Sequence, residues 1–490
     1  MSLLLQRYCV NRCFAFCLVL LFSFSAKSQV LQWSNPTKLR GGAVFTRVIS
    51  ENDKGVFLLR YRNRFYSKSV ILERYSHLLT LQITKSIDLK NARLVKCYAL
   101  QKGLLLVRSQ YNRLNQSNQL IAQLYSYDLK AQGKEQILAE SPVLEYGDRG
   151  NYRLRISDNQ QKISLIYSEP STSKNIIINH FVFTGELKKV SEKKVELPIA
   201  YEDFIIRDFD INNKGEVVMI CSELESKRRR TLEFKHSLYV FDKDSIHDFV
   251  ISDSMELKSS RLIYDRQTDK SKLVAFYGYK NARGIEGTLF FELDESLTEG
   301  NLNMNNFNEQ LIKDVNINDR NTGFVSDGFG ILEVIPRSDG GMLVIAEQKE
   351  IATEDDVIMV NGIPQSTSKN IYNFNELLLL NYDSEGYVDW YKVITKNQTT
   401  VNDGGYFSSA VVFVGDKFVQ LIFNDQLRSS GDVMQYTIYN NGVVESAKLL
   451  KNQLDNVVII PSESKQVSSN KVIIPTSKNR RFAILKLIYD

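Results

Sequence analysis

SDGGMLVIAE, residues 338–347, followed after a break by NELLLLNYDSEGYVDWYKVIT, residues 375–395, decides the fold. The first run is short, opens on glycine and is apolar at nearly every position. That suits a strand buried on both faces better than a helix of ten or more residues. The second run ends in Tyr382-Asp383, and Asp383-Ser384-Glu385-Gly386 reads as an Asx-type turn with a glycine available for positive φ. The turn leads into the more polar YVDWYKVIT. One repeat therefore reads as an inner strand, an apolar second strand, an Asp-ended third strand and a polar outer strand.

Working outward, the apolar second strand recurs eight times, opening at Gly55, Gly103, Lys162, Glu216, Lys272, Gly341, Lys417 and Lys471. The first and last openings lie 416 residues apart (471 minus 55) over seven intervals, a mean of about 59. That exceeds the ~40 to 50 of familiar propeller repeats, so insertions are expected. A partner run follows each, among them SVILERY from Ser69, HSLYVFD ending at Asp242 and FAILKLIYD ending at Asp490. One four-stranded meander cannot cover both its faces, whereas eight arranged radially can. The reading is an all-β chain folded as an eight-bladed β-propeller. Seven blades are the alternative if residues 456–490 join the N-terminus differently. The last repeat stops where its outer strand should begin, and VLQWSNPTKL from Val30 carries Trp33 much as the outer strand of residues 387–395 carries Trp390. Pairing that segment onto the strand around Phe482 to Tyr489 would close the ring and remove exposed edges.

The 490 residues are 43% hydrophobic and 24% charged, a globular composition that excludes disorder and multiple membrane spans. Residues 1–28 read as a secretory signal: Arg7 and Arg12, an apolar run from Cys13 to Phe24, and Ala26-Lys27-Ser28 before Gln29. The apolar run is shorter than the ~20 residues that a membrane-spanning helix needs, so no anchor is expected after cleavage. Removal of Arg7, Arg12 and Lys27 leaves 59 basic (62 minus 3) against 57 acidic residues, a formal charge of +2 with no bulk attraction for nucleic acid. Cys97 and Cys221 then remain and read as buried free thiols in strands of different repeats, although one bridge between them stays open.

The exported chain with its Asp339-Gly340-Gly341 hairpin, Asp-ended third strand and Gly386-x-x-x-Trp390 outer strand resembles the β-propeller repeat proteins that Bacteroidota secrete, best over residues 331–400. The resemblance implies a fold and an exported location. It carries over no catalytic residues. The phylum's dedicated secretion route usually uses a C-terminal sorting domain, which this chain lacks, so periplasm and cell surface both stay open.

No Gly-x-Ser-x-Gly, HExxH, P-loop or paired-Cys motif occurs, and His77, His180, His236 and His247 have no ligand spacing. Asp208 to Glu216 and Asp314 to Gly323 look like calcium loops but lack required positions, and a hairpin turn is the better reading of the first. No metal and no cofactor are therefore expected. Several connections between second and third strands are basic and aromatic, offering Arg62, Arg64, Tyr66, Tyr111, Arg113, Arg228, Arg229 and Arg283 as a ligand-binding rim on one face. Guanidinium groups suit carboxylate or phosphate, and tyrosines offer flat faces to sugar rings. Insertions near 298–330 and 349–373, the second beginning with Glu350, Glu354, Asp355 and Asp356, should flank that rim. The expectation is a monomeric, non-enzymatic binding or scaffold protein of the cell envelope, with an acidic glycan or a protein as partner. The competing class is a carbohydrate-active hydrolase or lyase with acidic residues in the central funnel, because paired carboxylates from distant repeats leave no local motif.

Overall fold

The computed structural model describes residues 29–489 except 39–44, 63–67, 91, 144–149, 172–173, 229–230, 243–245, 253, 280–283, 317–323, 361–362, 428–430, 452–455 and 479–480. At 227–228, 231–232, 356–360 and 363–365 it describes the backbone alone. The signal-peptide reading of residues 1–28 thus lies outside the described residues.

The chain is nearly all strand, and its eight antiparallel sheets match a β-propeller repeat protein. Sheet 1 comprises Phe45–Asn52, Gly55–Tyr61, Ser69–Tyr75 and Leu81–Asp88, hydrogen-bonded in that order. Sheets 2 to 5 repeat the meander, opening with the inner strands Arg93–Leu100, Arg153–Ile156, Phe204–Ile211 and Met255–Asp265. Sheet 6 runs Phe329–Pro336, Met342–Val360, Ile363–Tyr382 and Val388–Ile394; sheet 7 opens with Val411–Val414. In sheet 8, Val457–Ile459 and Lys465–Ser468 both pair with Lys471–Lys478, which pairs with Arg481–Tyr489. Its outermost strand is Gln29–Trp33, in register from Gln29 opposite Tyr489 to Trp33 opposite Leu485. No helix among the described residues is long and apolar enough to cross a membrane.

The unbroken apolar runs follow from burial on both sides. In the second strand of sheet 5, Leu273, Ala275 and Tyr277 pack with Leu238 and Val240 of sheet 4, while Val274 and Phe276 pack with Val344 and Ala346 of sheet 6. Alternate side chains of one strand thus enter two different cores. Among the described residues there are eight such clusters, each drawn from two successive sheets, and one joins Ile473 and Ile484 of sheet 8 to Val56 and Leu58 of sheet 1. The glycine that opens three of these strands has its own cause. A Cβ on Gly55, Gly103 or Gly341 would lie 2.0, 2.1 or 2.4 Å from the carbonyl oxygen of Tyr75, Tyr125 or Tyr382, the aromatic end of the neighbouring third strand. The third strands then turn as expected at Asp383, whose Oδ1 accepts from the N–H groups of Glu385 and Tyr387, with Gly386 at φ 90°.

Two stretches depart from the meander. Within residues 298–330, Gly300–Asn306 forms the outer strand of sheet 5, and a short helix, Glu309–Val315, is capped by Asn308, whose side chain accepts from the Leu311 N–H. Residues 349–373 extend two strands of sheet 6 as a ribbon, with Gln398–Val401 pairing against Ile371–Phe374 at its base. Asn370 exchanges hydrogen bonds with Asn402, and beyond it, from Glu354 opposite Lys369 outward, the described residues of the ribbon pair with each other. Cys97 and Cys221 are buried free thiols.

Candidate functional site

Of the rim residues, Arg62 is exposed just past Gly55–Tyr61, Tyr111 is half-buried near the end of Gly103–Asn112, and Arg113 is exposed in the turn that follows. Arg228 ends the strand Val217–Arg228. All four sit where a second strand passes to a third, at corresponding ends of sheets 1, 2 and 4. Arg64, Tyr66, Arg229 and Arg283 lie outside the described residues.

The inner strands carry a stronger arrangement. Each is the first strand of its sheet and has one edge that no strand of that sheet pairs, so main-chain groups there need other partners. Polar side chains of neighbouring inner strands supply them. Asp208 accepts from the Leu262 N–H (3.0 Å), Asp210 from the Tyr264 N–H (2.9 Å) and Ser259 Oγ from the Ile331 N–H (3.0 Å). Arg155 donates to the Phe209 carbonyl and pairs with Asp208 at 2.9 Å. Gln466 bonds both the N–H and the carbonyl of Val414, and Lys465 donates to the Ile49 carbonyl at 2.7 Å. Arg47 pairs with Glu463 at 2.6 Å. These charges hold neighbouring inner edges together.

Two charges have no such task. The inner hairpins close at Leu100, Ser157, Asn212, Asp265 and Arg337, and Lys96, Arg153, Asp208, Arg261 and Glu333 each precede these by four positions. They therefore stand at one level on five successive inner strands. In three of those strands a β-bulge lies immediately before the residue, between Leu94 and Lys96, Ile206 and Asp208, and Ile331 and Glu333. Bulges re-aim side chains and favour functional positions. Lys96 makes no side-chain hydrogen bond or ion pair with any described residue and only lies over the Tyr98 ring, at 5.1 Å, while the Glu333 carboxyl accepts from the Val334 N–H and meets no ion-pair partner among the described residues.

Lys96, Lys465 and Glu333 reach solvent, yet the surrounding strands crowd them, so they are accessible but poorly hydrated. Burial pushes the Lys96 amine down to about 8, and the positive charges of Arg155, Arg47, Lys465 and Arg261 push the same way. Burial raises the Glu333 carboxyl against the opposing pull of Arg261 and Arg155. Burial, against Arg155 and two backbone N–H groups, likewise lifts Asp210 to about 6. A cavity of about 950 Å³ lies along sheets 6 to 8, taking in Glu333, Lys465 and the ribbon base at Lys349 and Phe374. At its wall Ser409, at φ 79°, donates to Glu347, a buried carboxylate clamped by Lys349 (3.2 Å) and Lys396 (3.1 Å). The network braces the loop against the ribbon base.

Other motif residues are structural. Asn212 Oδ1 accepts from the N–H groups of Lys214, Gly215 and Glu216, so Asp208–Glu216 is the hairpin turn the sequence suggested. Asp314 is engaged by Tyr391 and Gln310 on the flank of a second groove of about 840 Å³ between the outer strands of sheets 5 and 6. His180 is buried against Ser164, and burial followed by Lys193 lowers it to about 3, leaving it neutral. The inner-strand charges were visible in RLVKCYAL and FGILEVIP as ionisable residues interrupting apolar strands, the signal that loop charges overshadowed.

No protein-family model matches the chain, and no curated protein matches it. Among solved structures, the polysaccharide lyase Uly1 aligns over 93% of this chain and 92% of its own at 10% identity, with a TM-score of 0.40. The WD40 domain of SCAP from fission yeast aligns over 94% and 98% at 9% identity and 0.39. The β-propeller domain of the Trilobed protease from Pyrococcus furiosus aligns over 86% and 96% at 10% identity and 0.36. At these scores the similarities transfer no residue and no activity.

Proposed function

We propose that the chain is an exported eight-bladed β-propeller, closed by its N-terminal strand, that binds an anionic ligand in its central channel without transforming it. The ligand class is an acidic glycan or an acidic protein segment in the periplasm or at the cell surface. One observation carries the reading: Lys96 is exposed on the inner strand of sheet 2 with no counter-charge among the described residues, and the cations Arg155, Arg47, Lys465 and Arg261, from four other sheets, bear on it. Structural ion pairs neutralise their members, whereas an unpaired cation among cations lowers its energy when an anion arrives. The rim of Arg62, Arg64, Tyr66, Tyr111, Arg113, Arg228, Arg229 and Arg283 belongs to the proposal as the approach to this channel.

The test is titration of the purified chain with polygalacturonate, heparin oligosaccharides, an acidic peptide and neutral dextran. Binding to an acidic probe, absent with dextran and weakening as salt rises, is expected. A Lys96→Met, Arg261→Met double change should weaken it by tenfold or more. Equal affinity in that variant at an unchanged fold would defeat the channel assignment. A second reading has its own observation: the raised carboxyls of Glu333 and Asp210 are suited to proton donation in a carbohydrate-active enzyme. Release of new sugar ends from the same probes, lost in Glu333→Gln, would favour it.

A further inference from the structure

In sheet 7 the inner strand Val411–Val414 pairs with the second strand Phe418–Asn424, and the Gly415 N–H donates to the Phe418 carbonyl at 2.9 Å. That bond fixes the alternation of the hairpin: main-chain groups of Val411 and Phe413 face the second strand, and those of Val412 and Val414 face the free inner edge. At Val414 the edge is taken. The Gln466 side-chain amide accepts from the Val414 N–H and donates to the Val414 carbonyl, both at 2.8 Å, as a peptide group of an added strand does. Two residues back, Val412 turns the same pair of groups to the cavity of about 950 Å³, and no described residue bonds them there. The two flanks of this edge differ in charge. Val411 and Phe413 pack toward sheet 8, Val412 and Val414 toward sheet 6. On the sheet 8 side the cavity wall carries Lys465, whose Nζ donates to the Ile49 carbonyl at 2.7 Å and meets no carboxylate among the described residues. On the sheet 6 side it carries Glu333, and Arg261, the cation that bears on this carboxylate, bonds the Leu332 carbonyl instead. Two further cations of the wall, Lys349 and Arg266, are paired with Glu347 and Asp158. One flank thus attracts acidic side chains and the other repels them.

We propose that an extended protein segment adds to the inner edge of sheet 7 at Val412, as a further strand lying in the cavity, and that the segment carries acidic side chains at every second position. This rests on the channel-binding reading above and names the partner as a protein strand rather than a glycan. The period follows from strand geometry, because successive side chains of an added strand point to opposite faces of the sheet. Those turned to sheet 8 meet Lys465. Those turned to sheet 6 meet Glu333, where neutral residues fit and carboxylates do not. Main-chain hydrogen bonds to the edge supply affinity, and the two flanks choose the sequence. The cavity lies within the ~300 to 1,000 Å³ usual for ligand pockets, room for a short segment.

Fluorescence anisotropy of the full chain with labelled octapeptides tests this. Acetyl-(Glu-Thr)4-amide places all its carboxylates on one strand face, whereas acetyl-(Glu-Glu-Thr-Thr)2-amide, of the same composition, divides them between both. The first should bind about tenfold more tightly. Glu333→Gln should narrow that gap by accepting the second peptide, and Lys465→Met should weaken the first about fivefold, each with an unchanged melting temperature. Main-chain pairing has its own signature, because alternate N–H groups of an added strand face the edge. N-methylation of every Glu and N-methylation of every Thr should therefore differ, one abolishing binding and the other leaving it nearly intact. Absent peptide binding, equal affinity of the two sequence isomers, or equal effects of the two methylation patterns overturns this proposal alone where heparin oligosaccharides still bind through Lys96 and Arg261. Failure of every peptide and every polyanion to bind overturns it together with the channel-binding reading.

Discussion

Glu51 is held from two sides, by Lys486 Nζ at 2.6 Å and by His77 Nδ1 at 3.1 Å. The lysine comes from the last strand of sheet 8 and the carboxylate from the inner strand of sheet 1; their side chains are 3% and 8% exposed. Burial alone would raise this carboxyl, but the hydrogen bonds from Lys486 and His77 outweigh it and leave Glu51 below its ordinary value. A depressed carboxyl stabilises the fold above its unfolded pKa, and that contribution fades as the pH falls through the folded one. Lys486→Met strands the buried carboxylate and should cost about 3–5 kcal/mol at neutral pH. The deficit should shrink in acid, as Glu51 becomes neutral. Urea melts of both proteins at pH 7 and pH 4 check this, and an equal deficit at the two pH values would show that lost packing accounts for it. Lys96 shows the limit of reading single residues from sequence. RLVKCYAL contains a lysine, but whether it bonds a neighbour's backbone, as Lys465 does, or stays unpaired depends on segments roughly one repeat away.

The apolar second strands and their Asp-ended partners were legible because both faces of each sheet are covered, which forces unbroken runs of Val, Ile, Leu and Phe that no solvent-facing strand would need. Outer strands gave weaker signals. Gly300–Asn306, GNLNMNN, alternates in the opposite sense, with Leu302 and Met304 exposed while Asn303 and Asn305 turn inward and bond the Glu385 and Gly386 carbonyls of the next sheet. Bulges in the inner strands leave no mark in composition, so the level shared by Lys96 and Glu333 emerged only from pairing. The N-terminal strand makes a separate prediction. Gln29–Trp33 pairs along Leu485–Tyr489, Thr37 bridges Phe482, and Lys478 lies 4.3 Å over the Trp33 ring. Deleting residues 29–38 exposes that edge and should lower the melting temperature by several degrees. Replacing residues 353–370 by a two-residue Asn-Gly turn removes more chain, yet none of the described side chains among them enters the eight clusters, so the midpoint should barely move. A deletion of 29–38 as harmless as the ribbon trimming would contradict the structural role assigned to the N-terminal strand.

At the scale of the whole chain, stability is shared among eight inter-sheet cores, and the proposed closure determines how they fail. In an open stack of repeats each unit touches only its neighbours, so the end units fray first and a lesson in one place stays local. In a ring no unit is terminal. The seam between sheets 8 and 1 is then as deep in the molecule as any other, and its burial agrees: Ile473, Ile484, Val56 and Leu58 are each 0% exposed, like Leu105 and Leu165 between sheets 2 and 3. Truncating Ile484 or Leu105 to alanine should therefore cost similar amounts, about 2–5 kcal/mol each. Both variants should still melt in one transition, because opening either seam exposes apolar faces of two sheets that have no other cover. Hydrogen exchange makes the contrast sharp. A closed ring should leave amides of Lys471–Lys478 and Gly55–Tyr61 as protected as those of Gly103–Asn112, in the unaltered chain and in both variants. Early exchange confined to sheets 1 and 8, or a separate low-temperature transition in Ile484→Ala alone, would mean that the first and last sheets meet without being joined.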